Sequence, residues 1–326
     1  MSALIPAPAA DPWMISHNGH YFYCESRNQT TIHVRKAPGI FEIADAENVK
    51  VWAPPTGAAN SKNVWAPELH FIEGKWYIYY AADDGKNENH RMWVLEAETD
   101  DPQGPYHCKG MLDTQGWAID GTLLEANGKR YMVWSGWPGV EDGQQNLYLA
   151  PMSNPWTLAE KRTLLASPTE AWEKNTMAIC EGPQVLKRNG KTFIIYSASA
   201  SWTIDYCLGM IVLDDEADVM KPASWRKIAE APVFEKTTRI WGVGHCSFVK
   251  SPCQTEDWIV YHAKSKRKKG WDDRHVHTQR FSWHNDHPVL GIPSPETKPT
   301  RVLTEVIRPA PTARPSSSTV LAPLAV

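Results

Sequence analysis

No apolar run in the 326 residues approaches the roughly 20 residues that a membrane-spanning helix needs, so no such span is expected. The opening stretch from Met1 to Ala10 lacks the charged and apolar regions of a signal peptide. The chain is therefore expected to be soluble, and cytoplasmic as it stands or secreted if it is a processed form. Like-sign charge blocks are missing too: 34 Lys and Arg against 37 Asp and Glu leave a formal charge of −3. That argues against a nucleic-acid partner held by phosphate neutralisation. The basic run from Lys264 to Lys269, interrupted by Ser265, reads as a solvated loop. The six cysteines form no CxxC pair and no zinc-ligand spacing, so they are expected to be mostly free and buried. Helical periodicity is weak, and 25 Pro with 20 Gly punctuate the chain at turn density. Phenylalanine is scarce at 7, whereas there are 16 Trp and 11 Tyr, whose flat faces and polar edges suit sugars as well as cores.

What is present is a repeat. Five times a polar or glycine turn precedes a short aromatic and β-branched run: Gly19 to Tyr23, Gly74 to Tyr80, Gly128 to Trp134, Gly190 to Tyr196 and Glu256 to Tyr261. The anchors lie 55, 54, 62 and 66 residues apart. Each run has strand composition and is short for a helix. Strand-like segments flank every run, including Trp13 to Ile15 ahead of the first and Thr31 to Val34 behind it. Five such units predict an all-β fold, a single-domain five-bladed β-propeller, with a large β-sandwich as the alternative. The propeller is expected over residues 11–297, with an N-terminal arm over 1–10 and a Pro/Ser/Ala-rich tail over 298–326.

A polar residue stands at the entrance of the expected innermost strand of each unit: Asp11, Glu68, Asp120, Glu181 and His245. Five strands of the same polarity would aim these side chains into one funnel. Carboxylates brought together there raise one another's pKa, so that one stays protonated while another is ionised. Glycoside hydrolysis needs that division between a general acid and a base. The competing reading takes Asp-Pro, Asp-Gly and Glu-Gly as turn formers only.

Asp11-Pro12-Trp13, Trp65-Ala66-Pro67-Glu68, Ile119-Asp120-Gly121, Cys180-Glu181-Gly182-Pro183 and Gly244-His245-Cys246, in this order, resemble the motifs of glycoside hydrolase family 43 from about residue 9 to 295. The resemblance implies an inverting mechanism with Asp11 as base, Asp120 as the residue that tunes and orients the acid, and Glu181 as general acid. Within the family, Tyr196 to Ala200, Asp273-Arg274-His275 and Gln279 to Trp283 are most similar to exo-acting α-L-arabinofuranosidases that act on 1,5-linked arabinan. β-Xylosidases, endo-arabinanases and a non-catalytic sugar-binding propeller are the alternatives. Cys180 departs from the Asn that relatives often carry before the acid. Trp13 and Trp65 are candidates for the pocket wall, and Arg274 for sugar hydroxyls. His245 resembles the family histidine that faces a calcium or other ion through water. No organic cofactor is expected; the expected partner is arabinan or an arabino-oligosaccharide, with no nucleic acid or membrane, bound by a monomer.

Overall fold

The computed structural model describes residues 2–213 and 217–296, so the expected tail over 298–326 lies outside the described residues. The chain forms five consecutive antiparallel meanders. The first contains β1 (Trp13–His17), β2 (His20–Arg27), β3 (Thr31–Ala37) and β4 (Val49–Trp52), and the second β5 (Lys62–Ile72), β6 (Lys75–Asp83), β7 (Arg91–Ala97) and β8 (Tyr106–Met111). The third has β9 (Ala118–Ala126), β10 (Lys129–Gly136), β11 (Gln144–Asn154), the two-residue β12 (Thr157–Leu158) and β13 (Thr163–Ala166). The fourth comprises β14 (Ala178–Arg188), β15 (Lys191–Ala198), β16 (Cys207–Leu213) and β17 (Trp225–Lys227). The fifth is β18 (Trp241–Lys250), β19 (Asp257–Lys264), β20 (Arg274–His284) and β21 (His287–Val289). A short parallel pairing of Gln144 and Gln145 with Ala178 and Ile179 joins the third and fourth sheets. Among the described residues the helices are 3-10 turns of three or four residues, and none is long and apolar enough to cross a membrane.

The first strands of successive sheets touch in the order β1, β5, β9, β14 and β18, and β18 touches β1 again. The aromatic runs are the second strands, and both of their faces are buried. In β6, Trp76, Ile78 and Tyr80 enter the apolar cluster shared with the first sheet, while Tyr77, Tyr79 and Ala81 enter the one shared with the third. The same alternation divides Phe193 and Ile195 from Ile194 and Tyr196 in β15, and Trp258 and Val260 from Ile259 and Tyr261 in β19. A strand with period-2 geometry and two buried faces must be apolar throughout. Five apolar clusters, one between each pair of neighbouring sheets, result.

Residues 2–9, expected as an arm, are docked. Leu4 and Ile5 are buried between the fifth and first sheets. The Leu4 N–H donates to Val276 O (2.7 Å), the Val276 N–H to Ile5 O (2.9 Å) and the Ala9 N–H to Arg274 O (3.0 Å). This segment extends the free edge of β20 and delivers the chain to Asp11. The six cysteines are free; Cys24, Cys180, Cys207 and Cys246 are buried, Cys108 and Cys253 exposed. Lys264 corrects the reading of the basic run, because it is fully buried while Lys266 to Lys269 are exposed.

Candidate active site

In or just before the first half of every innermost strand a residue near the catalytic motif adopts a left-handed backbone: Asp11 (φ 50°), Ala66 (42°), Asp120 (55°), Gly182 (53°) and His245 (42°), with Asn63 and Gly242 doing so as well earlier in β5 and β18. Such a conformation costs a non-glycine residue about 1–3 kcal/mol and turns its side chain off the strand's regular course. Pairing is interrupted beside each of the four within a strand ladder, between Trp65 and Glu68, opposite Asp120, between Glu181 and Gln184, and between Gly244 and Cys246. Asp11, Asp120 and His245 occupy the left-handed position itself. Glu181 stands one residue before it, where the second sheet has Trp65. Glu68 stands two residues past it, in register with Gln184, whose amide donates to it, and its other oxygen faces His70 Nε2 at 2.9 Å. The expected equivalence of all five entrance residues is thus corrected: the loops between strand entrance and aromatic run differ in length, so counting back from the run blurs the register.

Asp11 and Asp120 share His245, while Glu181 has a partner of its own in Tyr206. Asp11 Oδ1 lies 3.3 Å from Arg274 Nη1 and 3.4 Å from both His245 Nδ1 and His262 Nδ1. Its amide N–H donates to His262 Nδ1 (3.2 Å). Asp120 Oδ2 accepts the Gly182 N–H (3.0 Å) and stands 3.8 Å from His245 Nδ1. Glu181 Oε1 accepts the hydroxyl of Tyr206 (2.8 Å). Tyr206 stacks on His262 with centroids 5.5 Å apart, which joins the surroundings of Glu181 to those of Asp11. Two glycines permit this packing. A Cβ on Gly182 would crowd His245 Nδ1 at 3.1 Å, and one on Gly244 would run into the Tyr206 ring.

Electrostatics separates the carboxylates. Burial would raise Asp11, but Arg274, His245 and His262 outweigh it and hold the group well below the usual carboxylate range. Glu181 is pushed up to about 7, by burial above all and against the Tyr206 hydrogen bond, with Asp11 adding repulsion. Asp120 also rises to about 7; burial leads there too, His245 opposes it, and Glu181 and Asp11 repel it. His262 is driven down to about 4 by burial, so near neutrality its Nδ1 is free to accept the Asp11 N–H. The cavity thus keeps Asp11 ionised beside carboxyl groups that hold a proton near neutrality, an arrangement suited to concerted proton removal and proton donation.

Arg274, expected at sugar hydroxyls, points its Nη1 at Asp11, and its Nε donates to Trp271 O (3.2 Å). His245 lies between the two aspartates, its N–H held by Ser197 Oγ (2.8 Å). Trp13 is partly buried between the first two sheets, donates to Leu69 O (2.7 Å) and packs on His70. Trp65 stacks on His90 with centroids 4.1 Å apart, and the fully buried His90 is held by Asp83 (2.8 Å). Tyr206 and His262 were missed at the sequence level, because neither stands in the repeated entrance position. Among the described residues no group of three or more His, Cys, Asp and Glu is arranged to hold a metal ion.

The family described as glycosyl hydrolases family 43 matches residues 2–289. An extracellular exo-α-(1→5)-L-arabinofuranosidase of Streptomyces avermitilis is 34% identical over 298 residues, 87% of this chain and 62% of that protein. An α-L-arabinofuranosidase B of Pyricularia oryzae is 36% identical over 303 residues, covering 88% and 62%. The chain therefore spans less than two thirds of the length of these two curated relatives. The crystal structure of an α-L-arabinofuranosidase from Lactobacillus brevis superposes with a TM-score of 0.85 at 35% identity, over 90% of this chain and 96% of that one.

Proposed function

We propose, since this chain belongs to the glycosyl hydrolases of family 43, that it releases L-arabinofuranose from the ends of α-1,5-linked arabinan or arabino-oligosaccharides with inversion of configuration. In this reading the five sheets are the blades of a propeller, residues 11–297 are one catalytic domain, and a monomer acts on a single chain end. The observation that carries the reading is geometric: Asp11 is held by Arg274 (3.3 Å), Glu181 accepts the Tyr206 hydroxyl (2.8 Å), and Tyr206 stacks on the His262 that accepts the Asp11 N–H. Water attacks the anomeric carbon from the side opposite the leaving group, and Asp11 takes its proton. As the glycosidic bond breaks, Glu181 gives its proton to the departing oxygen, so the products are arabinose and a chain one residue shorter. Asp120 orients the acid by accepting the N–H of Gly182, the residue after Glu181. Arg274 and His262 hold the base, and Trp13 and Trp65 support the pocket wall. In the same reading a calcium or other ion would be held through water near His245.

Incubation with linear 1,5-arabinan tests it. Arabinose should be the early product, and proton NMR of fresh product should reveal the β anomer. A ladder of oligosaccharides would refute exo action, retained configuration would refute inversion, and preference for a xyloside would refute the sugar assignment.

Tyr206→Phe gives a narrower test. The phenol stabilises the ionised form of Glu181, so its removal should raise the Glu181 pKa. The acid then stays protonated to higher pH, and the alkaline limb of kcat/KM should move upward by about one pH unit. A limb unmoved, or moved downward, would show that Tyr206 does not act through Glu181.

A further inference from the structure

Trp271 is 52% exposed, yet it is held at several points. Its indole N–H donates to Ser201 Oγ (3.2 Å), its ring meets Trp202 edge-on with centroids 5.5 Å apart, and its carbonyl accepts Arg274 Nε (3.2 Å). The two loops are clasped to each other: the Gly270 N–H donates to Trp202 O (2.8 Å), and the buried Lys264 ammonium donates to Trp202 O (3.1 Å) and to Gly270 O. Burying an ammonium is costly unless its donors are used, and here it donates to carbonyls beside the two tryptophans. An exposed indole fixed in this way loses little side-chain entropy when a ligand covers it.

Its position is equally specific. The arginine that holds the Trp271 carbonyl also contacts the Asp11 carboxylate (3.3 Å). Trp202 shares the segment between β15 and β16 with Tyr206, the hydroxyl donor to Glu181. The pair therefore stands beside the catalytic cluster, Trp202 on the segment that serves the acid and Trp271 on the connection that carries Arg274. We propose that Trp271 and Trp202 form a platform for the sugar residue on the leaving-group side of the cleaved bond. This rests on the functional reading above: Glu181 protonates the leaving oxygen, so the departing sugar extends toward Tyr206 and the neighbouring Trp202. The C–H faces of a furanose ring match an indole surface, while its hydroxyls point to solvent.

The test compares 1,5-arabinobiose with methyl α-L-arabinofuranoside, whose leaving group is comparably poor but has no ring to stack. For Trp271→Ala the ratio of kcat/KM on the biose to that on the methyl glycoside should fall about tenfold, mainly through KM, and Trp271→Phe should restore part of it. A ratio unchanged by Trp271→Ala, whether both activities fall together or neither does, would overturn the platform, the former outcome pointing to a prop for Arg274. Wild-type protein inert on both arabinofuranosides would instead overturn the functional reading, and the platform with it.

Discussion

Glu181→Gln is expected to slow cleavage of 1,5-linked arabino-oligosaccharides by about 10²–10⁴-fold, the usual contribution of a general acid. The same variant should lose little on an aryl arabinofuranoside whose leaving group departs without a proton. The reasoning starts from the side chain's surroundings. Glu181 is only 7% exposed, and burial is the main reason its pKa reaches about 7. A group with that pKa carries a proton through the mildly acidic range and gives it up around neutrality. Wild-type kcat/KM on arabino-oligosaccharides should therefore fall on the alkaline side near pH 7, and this fall should vanish for Glu181→Gln assayed on the activated aryl substrate. Glutamine keeps the shape and still accepts the Tyr206 hydroxyl, so the variant should melt close to wild type. Equal losses on both substrates in a folded, sugar-binding variant would assign the acid elsewhere.

Much of the fold was legible because of where the aromatic runs lie. A second strand such as Trp76 to Ala81 sends alternate residues into two different apolar clusters, which leaves no polar position in the run. That unbroken pattern, repeated at intervals of 54 to 66 residues, was visible without structure. The outermost strands were not: Trp225–Lys227 and His287–Val289 are three residues long, too short for a pattern to register. Docking of Leu4 and Ile5 depends on the vacant edge of β20, a feature that no local sequence reveals. Lys264 misled for a similar reason, since its ammonium is buried against carbonyls of two loops while the charges that follow it in sequence are solvated.

The site divides along the same line. Asp11, Asp120 and His245 could be found because the left-handed entrance position recurs in every sheet, and Glu181 because it lies next to it. Tyr206 begins the approach to β16, and His262 is part of an apolar second strand, so each reads as core. Tyr206 meets Glu181 across the fourth sheet, and His262 meets Asp11 only where the fifth sheet closes on the first. What they contribute is electrostatic. A hydroxyl moderates the rise of the acid, and a neutral histidine ring fixes the backbone that carries the base.

Asp11→Asn should reduce turnover of both oligosaccharide and activated aryl substrates by about 10³-fold or more, because no leaving group can substitute for activation of water. Asp11 is well placed for that task in the wild type. Arg274, His245 and His262 hold its carboxyl well below the usual range, so it stays ionised wherever Glu181 is protonated. Loss of the base should lower the whole profile and, because the Asp11 charge no longer repels the ionised acid, move the alkaline limb set by Glu181 to lower pH. The amide cannot take a proton from water, yet it keeps the cavity open on the attacking side, where a small anionic nucleophile needs no base. Azide should therefore restore turnover of the activated substrate in Asp11→Asn and yield the glycosyl azide of inverted configuration. Rescue giving an azide of retained configuration would require two displacements, with Glu181 as nucleophile and Asp11 on the leaving-group side, and would overturn inversion. A variant as active as wild type on the oligosaccharide would remove Asp11 from the reaction altogether.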